Sequence, residues 1–360
     1  MSDWQPDLTR RSFLGASLAA AGAAAVPVRA GAAAAAAPRP AAPGPRMKIG
    51  TYLQLPMTRS IQLVRQAGVE HAVTGLEVRE DGVPWSVKSL QTARQRFQEA
   101  GLQLAVIESR PPMTRTKLGL PGRDEEIETV CELLKNMGTV GIHVWCYEWM
   151  VLGVRRTSRT RPTRAGAQVQ AYDQAEETQT GLTEYGQVPA GQLWDALKYF
   201  LERVVPVAEK ANVKLAMHPD DPPYSPIRGV ARIMSSLEDY QRLVDLVPSP
   251  VNGITFCQGN FTLMTDDLPA AIRRFGRHIH FVHFRDVVGT RTKFDETFPD
   301  AGKTNMAACM RAYRDIGFDG IISPDHWPVM GGAGGQRDGD MGRIFAIAYI
   351  RGLMDACYDL

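Results

Sequence analysis

Lys214-Leu-Ala-Met-His218-Pro-Asp-Asp-Pro-Pro223 is the stretch on which the reading of the whole chain turns. A short apolar run that meets turn residues fits a buried strand. The prolines end it, because proline cannot donate to a strand ladder. His218 is therefore expected at the carboxyl end of a strand. Three later stretches share this form: Gly253-Ile-Thr-Phe-Cys257 ends in a thiol, His280-Phe-Val-His283 in an imidazole, and Gly320-Ile-Ile-Ser-Pro-Asp325-His326 in a carboxylate and a second imidazole. Metal-binding side chains at the ends of successive strands are what a metal-dependent α/β barrel requires.

Outward from these four stretches, strand and helix patterns alternate from Met47 onward. Strands are expected at Lys48–Tyr52, Val73–Val78, Leu104–Glu108, His143–Tyr147, Lys214–His218, Gly253–Cys257, His280–His283 and Gly320–Pro324. Helical periodicity is clearest over Gln192–Ala211, where Leu193, Leu197, Leu201, Val204, Val205 and Ala208 fall on one face. Eight strands alternating with eight helices predict a closed (β/α)8 barrel, one catalytic domain over residues 47–360. Arg155–Gln187 breaks the rhythm. It is arginine-rich, then acidic, without apolar period, and reads as a polar insertion after the fourth strand: a loop or lid at the mouth, or a segment without a role.

The totals agree. A chain of 360 residues, 44% hydrophobic, can bury a large core. Its net charge of +2 gives no reason to expect nucleic acid as a partner. Five scattered cysteines do not make a disulfide framework. At the N-terminus, Thr9-Arg-Arg-Ser-Phe-Leu14, an alanine-rich apolar run and Val28-Arg-Ala30 succeed one another in the order of an export signal. The run is too short and too rich in alanine to span a membrane. Residues 1–30 resemble a twin-arginine (Tat) signal peptide and 31–46 an unfolded Ala/Pro linker. The protein is therefore expected in the periplasm or outside the cell, or in the cytoplasm if translation starts at Met47.

His218, Cys257, His283 and Asp325 together offer two nitrogens, one sulfur and one oxygen, a set suited to Mn, Fe, Co or Zn rather than Ca or Mg. His326 is a candidate general acid or base beside the metal. Arg285 could fork onto a substrate carboxylate, or pair with Asp286 or Glu296. Asp220 and Asp221 could orient His218 or cap a turn. Asn260 and Gln258 could bind substrate hydroxyls or serve the turn after Cys257.

His218-Pro-Asp-Asp-Pro-Pro223, Cys257-Gln-Gly-Asn260, Phe281-Val-His-Phe-Arg285 and Pro324-Asp-His326 resemble the motifs of the mannonate dehydratase family, and Gly68–Thr74 with Pro84-Trp-Ser86, Val106-Ile-Glu-Ser109, Val205-Pro-Val-Ala-Glu209 and Gly342-Arg343 resemble it in order and spacing, from about Met47 to the C-terminus. That resemblance implies a xylose isomerase-like TIM barrel. It implies a divalent metal, Mn2+ or Fe2+, on His218, Cys257, His283 and Asp325, with His326 catalytic. It implies a hydro-lyase that converts a sugar acid, D-mannonate, to 2-keto-3-deoxy-D-gluconate and water. The family's tyrosine before the last helix has no counterpart in Arg337–Met341, where Asp338 and Asp340 stand. A second reading keeps barrel and metal but makes the protein a sugar isomerase or epimerase. A third makes it a non-catalytic binder of sugar acids. No membrane contact is expected beyond the signal peptide, and self-association is left open.

Overall fold

The structure is a computed structural model, which describes residues 46–56, 58–331 and 337–358. The signal-like segment and most of the linker lie outside the described residues. Among the described residues, eight parallel strands close a barrel: β1 (Lys48–Tyr52), β2 (His71–Thr74), β3 (Gln103–Glu108), β4 (Val144–Glu148), β7 (Lys214–His218), β8 (Asn252–Cys257), β9 (Ile279–His283) and β12 (Ile321–Ser323). The ring runs β1-β12-β9-β8-β7-β4-β3-β2, so the last strand pairs with the first. Seven of the expected strands match within a residue at each end, Gly320–Pro324 among them, trimmed by one at both. The strand expected at Val73–Val78 instead covers His71–Thr74, ending before Gly75.

Alternation along each strand sorts side chains into two layers. Leu215, Met217, Ile254, Phe256, Val282 and Ile322 point outward and join the large core beneath the helices. Val73, Val106, Cys146, Ala216, Phe281 and Ile321 form a separate buried cluster inside the barrel. Space there is tight: a β-carbon at Gly50 would lie 2.6 Å from Ile321 Cγ2. The helices close the outer layer with their apolar faces. Ala190–Ala211 buries Leu193, Leu197, Leu201, Val204, Val205 and Ala208, the stripe its sequence predicted. At about 1.5–3 kcal/mol per fully buried large apolar side chain, such faces supply most of the drive to close the barrel.

Residues 155–187 are not one long loop. They contain two strands, β5 (Ser158–Pro162) and β6 (Gln168–Asp173), in an antiparallel sheet with β10 (Val287–Thr290) and β11 (Lys293–Glu296), ordered β10-β11-β6-β5. Ser158–Pro162 and Val287–Thr290 are short and mostly exposed, so no apolar alternation marks them, whereas Gln168–Asp173 buries Val169, Ala171 and Tyr172. The sheet is anchored to the barrel mouth, through Arg155 N donating to Asp221 O (2.9 Å) and Gln168 paired with Val329. Among the described residues, no helix is long and apolar enough to cross a membrane.

Candidate metal and catalytic site

The strand period that fills the lumen also builds the site. Ala216, Phe281 and Cys146 face inward, so residues two positions on, His218, His283 and Glu148, face inward at the mouth. The same parity brings in Cys257, Glu108 and Tyr52. One ligand atom from each of His218, Cys257 and His283 lies within 4.8 Å of the others. Asp325 closes the group, with its Oδ2 3.9 Å from Cys257 Sγ and 3.6 Å from His283 Nδ1.

These donors fit a divalent transition metal. Burial pushes the Cys257 thiol up, yet Arg285, His218 and His283 outweigh it and bring it down to about 5, so the sulfur is a thiolate at neutral pH. His218 Nδ1 lies 2.8 Å from the Pro219 carbonyl, which leaves Nε2 as its free ligand atom. His283 Nε2 lies 3.3 Å from Glu108 Oε2, while its Nδ1 is buried without a hydrogen bond. An orphaned nitrogen beside a thiolate and a carboxylate is what a metal site looks like from the protein side.

His326 adopts a left-handed backbone, φ 47, uncommon for a residue with a side chain and often found where function imposes it. Its Nδ1 sits 2.6 Å from Glu296 Oε1 and its Nε2 3.5 Å from Asp325 Oδ1. Burial opposes its charge, but Asp325 and Glu296 prevail and raise its pKa. The imidazole borders a cavity of ≈ 420 Å3 that also meets Glu108, Arg110, Glu148, His218 and Asp325. An adjoining hollow of ≈ 410 Å3 shares His283, Asp325 and His326, and adds Tyr52, Gln170 and Trp327.

Three expectations need correction. Arg285 is 3% exposed and does not reach for substrate: Nε pairs with Asp325 Oδ2 (2.8 Å), and the terminal nitrogens with Asp221 Oδ2 (2.9 Å) and Glu296 Oε1 (3.3 Å). Its pairing with Glu296 was the alternative reading. Asp220 and Asp221 do not hold His218 by a hydrogen bond. Asp220 Oδ2 accepts from Met234 N (2.7 Å), and Asp221 accepts from Arg156 and Arg285. Asn260 is fully buried, away from the cavity. With its amide turned to the orientation that satisfies both neighbours, it donates to Asp221 Oδ1 (3.2 Å) and accepts from Arg285 (3.3 Å). Gln258 is buried too, with its amide nitrogen against Met306 sulfur (3.2 Å). Asp340 is not at the cavity but bonds Ser60 Oγ (2.8 Å). Asp338 lies where no side chain is described.

Sequence reasoning missed Tyr52, Glu108 and Glu148, although each ends or nearly ends an expected strand. The rule that found His218 would have found them. It also missed Arg156, wholly buried, which donates to Asp221 Oδ1 (2.6 Å) and Oδ2 (2.8 Å) and to Glu296 Oε1 (3.0 Å). Its partners are 65 and 140 residues away, and no local pattern announces such a pairing.

The model of the family described as D-mannonate dehydratase (UxuA) matches residues 47–181 and 174–359. The chain belongs to the D-mannonate dehydratase family. A mannonate dehydratase of Thermotoga petrophila is 33% identical, over 83% of this chain and 94% of its own. One from Enterococcus faecalis is 35% identical, over 80% and 91%. The crystal structure of the mannonate dehydratase from Streptococcus suis serotype2 superposes with a TM-score of 0.77 at 29% identity, covering 88% of this chain and 95% of that one. A D-psicose 3-epimerase from Clostridium cellulolyticum, at 15% identity and TM-score 0.59 over 86% and 99%, shares the fold. The D-mannonate dehydratase family is thus placed here on a xylose isomerase-like TIM barrel, as the motifs predicted.

Proposed function

We infer that the protein is a hydro-lyase that dehydrates D-mannonate, or a close sugar acid, to 2-keto-3-deoxy-D-gluconate. The observation that carries this reading is the thiolate, two imidazoles and Asp325 ringed at one mouth with His326 beside them. His218, Cys257, His283 and Asp325 would hold the metal, Mn2+ or Fe2+. A divalent cation there would offset the negative charge of the carboxylate beside C2 and so acidify the C2 proton. His326, anchored by Glu296, takes that proton. The C2–H electrons form the C2–C3 double bond as the C3–O bond breaks. Tyr52, whose hydroxyl donates to Glu77 Oε1 at 3.0 Å, protonates the departing hydroxyl, which leaves as water. The enol then takes a proton at C3, gives up its hydroxyl proton, and becomes the keto acid. Arg285 and Arg156 hold Asp325, Glu296 and Asp221 in place beneath the reacting atoms.

The test is to strip the full-length protein of metal, reload it with Mn2+, add D-mannonate and follow 2-keto-3-deoxy-D-gluconate directly. Chelator-sensitive turnover is expected. Stoichiometric metal without product would point to another sugar acid or to an isomerase. The proposal includes export through residues 1–30, resting on the twin arginines and the small residues before position 31. A fusion of residues 1–46 to a reporter active only after transport is expected to be active, and replacing Arg10-Arg11 with lysines to silence it.

A further inference from the structure

With Arg285 engaged by protein carboxylates, something else must recognise the acid end of a sugar acid. Among the described residues lining the two hollows, Arg110 is the only arginine or lysine. It stands two residues past Glu108, the last residue of β3, and its side chain is 31% exposed. Only its Nε is engaged, donating to Glu148 Oε1. No hydrogen bond is found on its two terminal nitrogens among the described residues, and these are the pair that forks onto a carboxylate.

Glu148 does not neutralise Arg110, because it already has a cation. Lys117, 1% exposed, donates from Nζ to Glu148 Oε1 (2.7 Å) and Oε2 (2.9 Å) and to the Met150 carbonyl (2.9 Å). Burial lowers Lys117 to about 8, so it remains charged at neutral pH. Lys117, Glu148 and Arg110 together carry one surplus positive charge, and the exposed member bears it at the cavity wall. The other buried arginines near the site are balanced too, Arg156 and Arg285 by Asp221, Glu296 and Asp325, and Arg232 by Asp220 at 3.8 Å. The surplus is thus local to one wall.

We propose that Arg110 is the residue that selects a sugar acid over a neutral sugar, by engaging the substrate carboxylate with its two terminal nitrogens, and that Glu148 and Lys117 hold it in position. The proposal rests on the sugar-acid reading above and adds the residue that enforces it.

Affinity is measured by calorimetry on the Mn2+-loaded full-length chain in a His326→Ala background, so that turnover does not interfere. The probes are D-mannonate and its neutral counterpart D-mannitol. The parent is expected to prefer D-mannonate. Arg110→Met is expected to weaken D-mannonate about tenfold to a hundredfold, the range for a charge-assisted hydrogen-bonded pair, and to leave D-mannitol unchanged. Arg110→Lys, which keeps the charge but not the fork, is expected to fall between them and to decide the matter if the methionine variant does not fold. A parent without preference, equal losses for both sugars, or a full preference in Arg110→Met would each overturn the assignment. If the wild type binds D-mannonate in preference to D-mannitol but forms no keto acid, the dehydratase reading fails and the Arg110 assignment stands.

Discussion

At the scale of single residues, the site separates holding from reacting. His218, Cys257, His283 and Asp325 face one another, while His326 and Tyr52 border the space a substrate would fill. His326→Ala is therefore expected to lower turnover at least about a hundredfold while metal content, read by atomic emission, stays at wild-type stoichiometry. Metal loss in that variant would put His326 among the ligands instead. Tyr52→Phe removes one hydroxyl from the hollow that His326 also lines. Its kcat is expected to drop about a hundredfold with little change in KM, and an unaltered kcat would remove Tyr52 from the proton transfers. The four ligand candidates were legible because each ends an apolar run. Arg285 was half legible: its position was right, but only the fold shows that three carboxylates surround it.

At the scale of elements, the barrel and the sheet beside its mouth differ in how plainly the chain announces them. Barrel strands such as Asn252–Cys257 are buried throughout and read as apolar runs. Ser158–Pro162 and Val287–Thr290 keep most of their residues exposed, and their hydrogen bonding rather than burial defines them. Yet this sheet region supplies Arg156 just before β5 and Glu296 at the end of β11, so the sheet helps hold the buried charges around the site. Arg156→Met would leave Asp221 and Glu296 buried with one cation fewer. It is expected to cost on the order of 3 kcal/mol in denaturant unfolding and to depress kcat. A stability loss without any kcat change would show that the sheet braces the mouth but does not set the catalytic geometry.

At the scale of the molecule, stability should follow both metal and pH. A ligand that binds only the folded state raises the melting temperature in proportion to the logarithm of its concentration. Chelation is thus expected to lower Tm and readdition of Mn2+ to restore it, and a Tm indifferent to chelator would argue against the site. His280, 4% exposed, has its Nδ1 3.0 Å from the Leu215 carbonyl, and burial lowers it from 6.5 to about 4. The unfolded chain therefore takes up a proton below about pH 6.5 that the folded chain refuses until about pH 4. This term is fully present above pH 6.5 and is lost as pH falls through that window, a loss on the order of 3 kcal/mol. His280→Gln should flatten the stability profile between pH 6.5 and 4 relative to wild type, and parallel profiles would refute the assignment.

The plug of Val73, Val106, Cys146, Ala216, Phe281 and Ile321 has one more consequence. Phe281 lies edge-on beneath His283 with ring centroids 4.8 Å apart, so the metal ring rests on an apolar floor. The barrel is a cup rather than a pipe. Sugar acid, keto acid and the expelled water molecule must all use the same rim, and no proton can drain through the bottom.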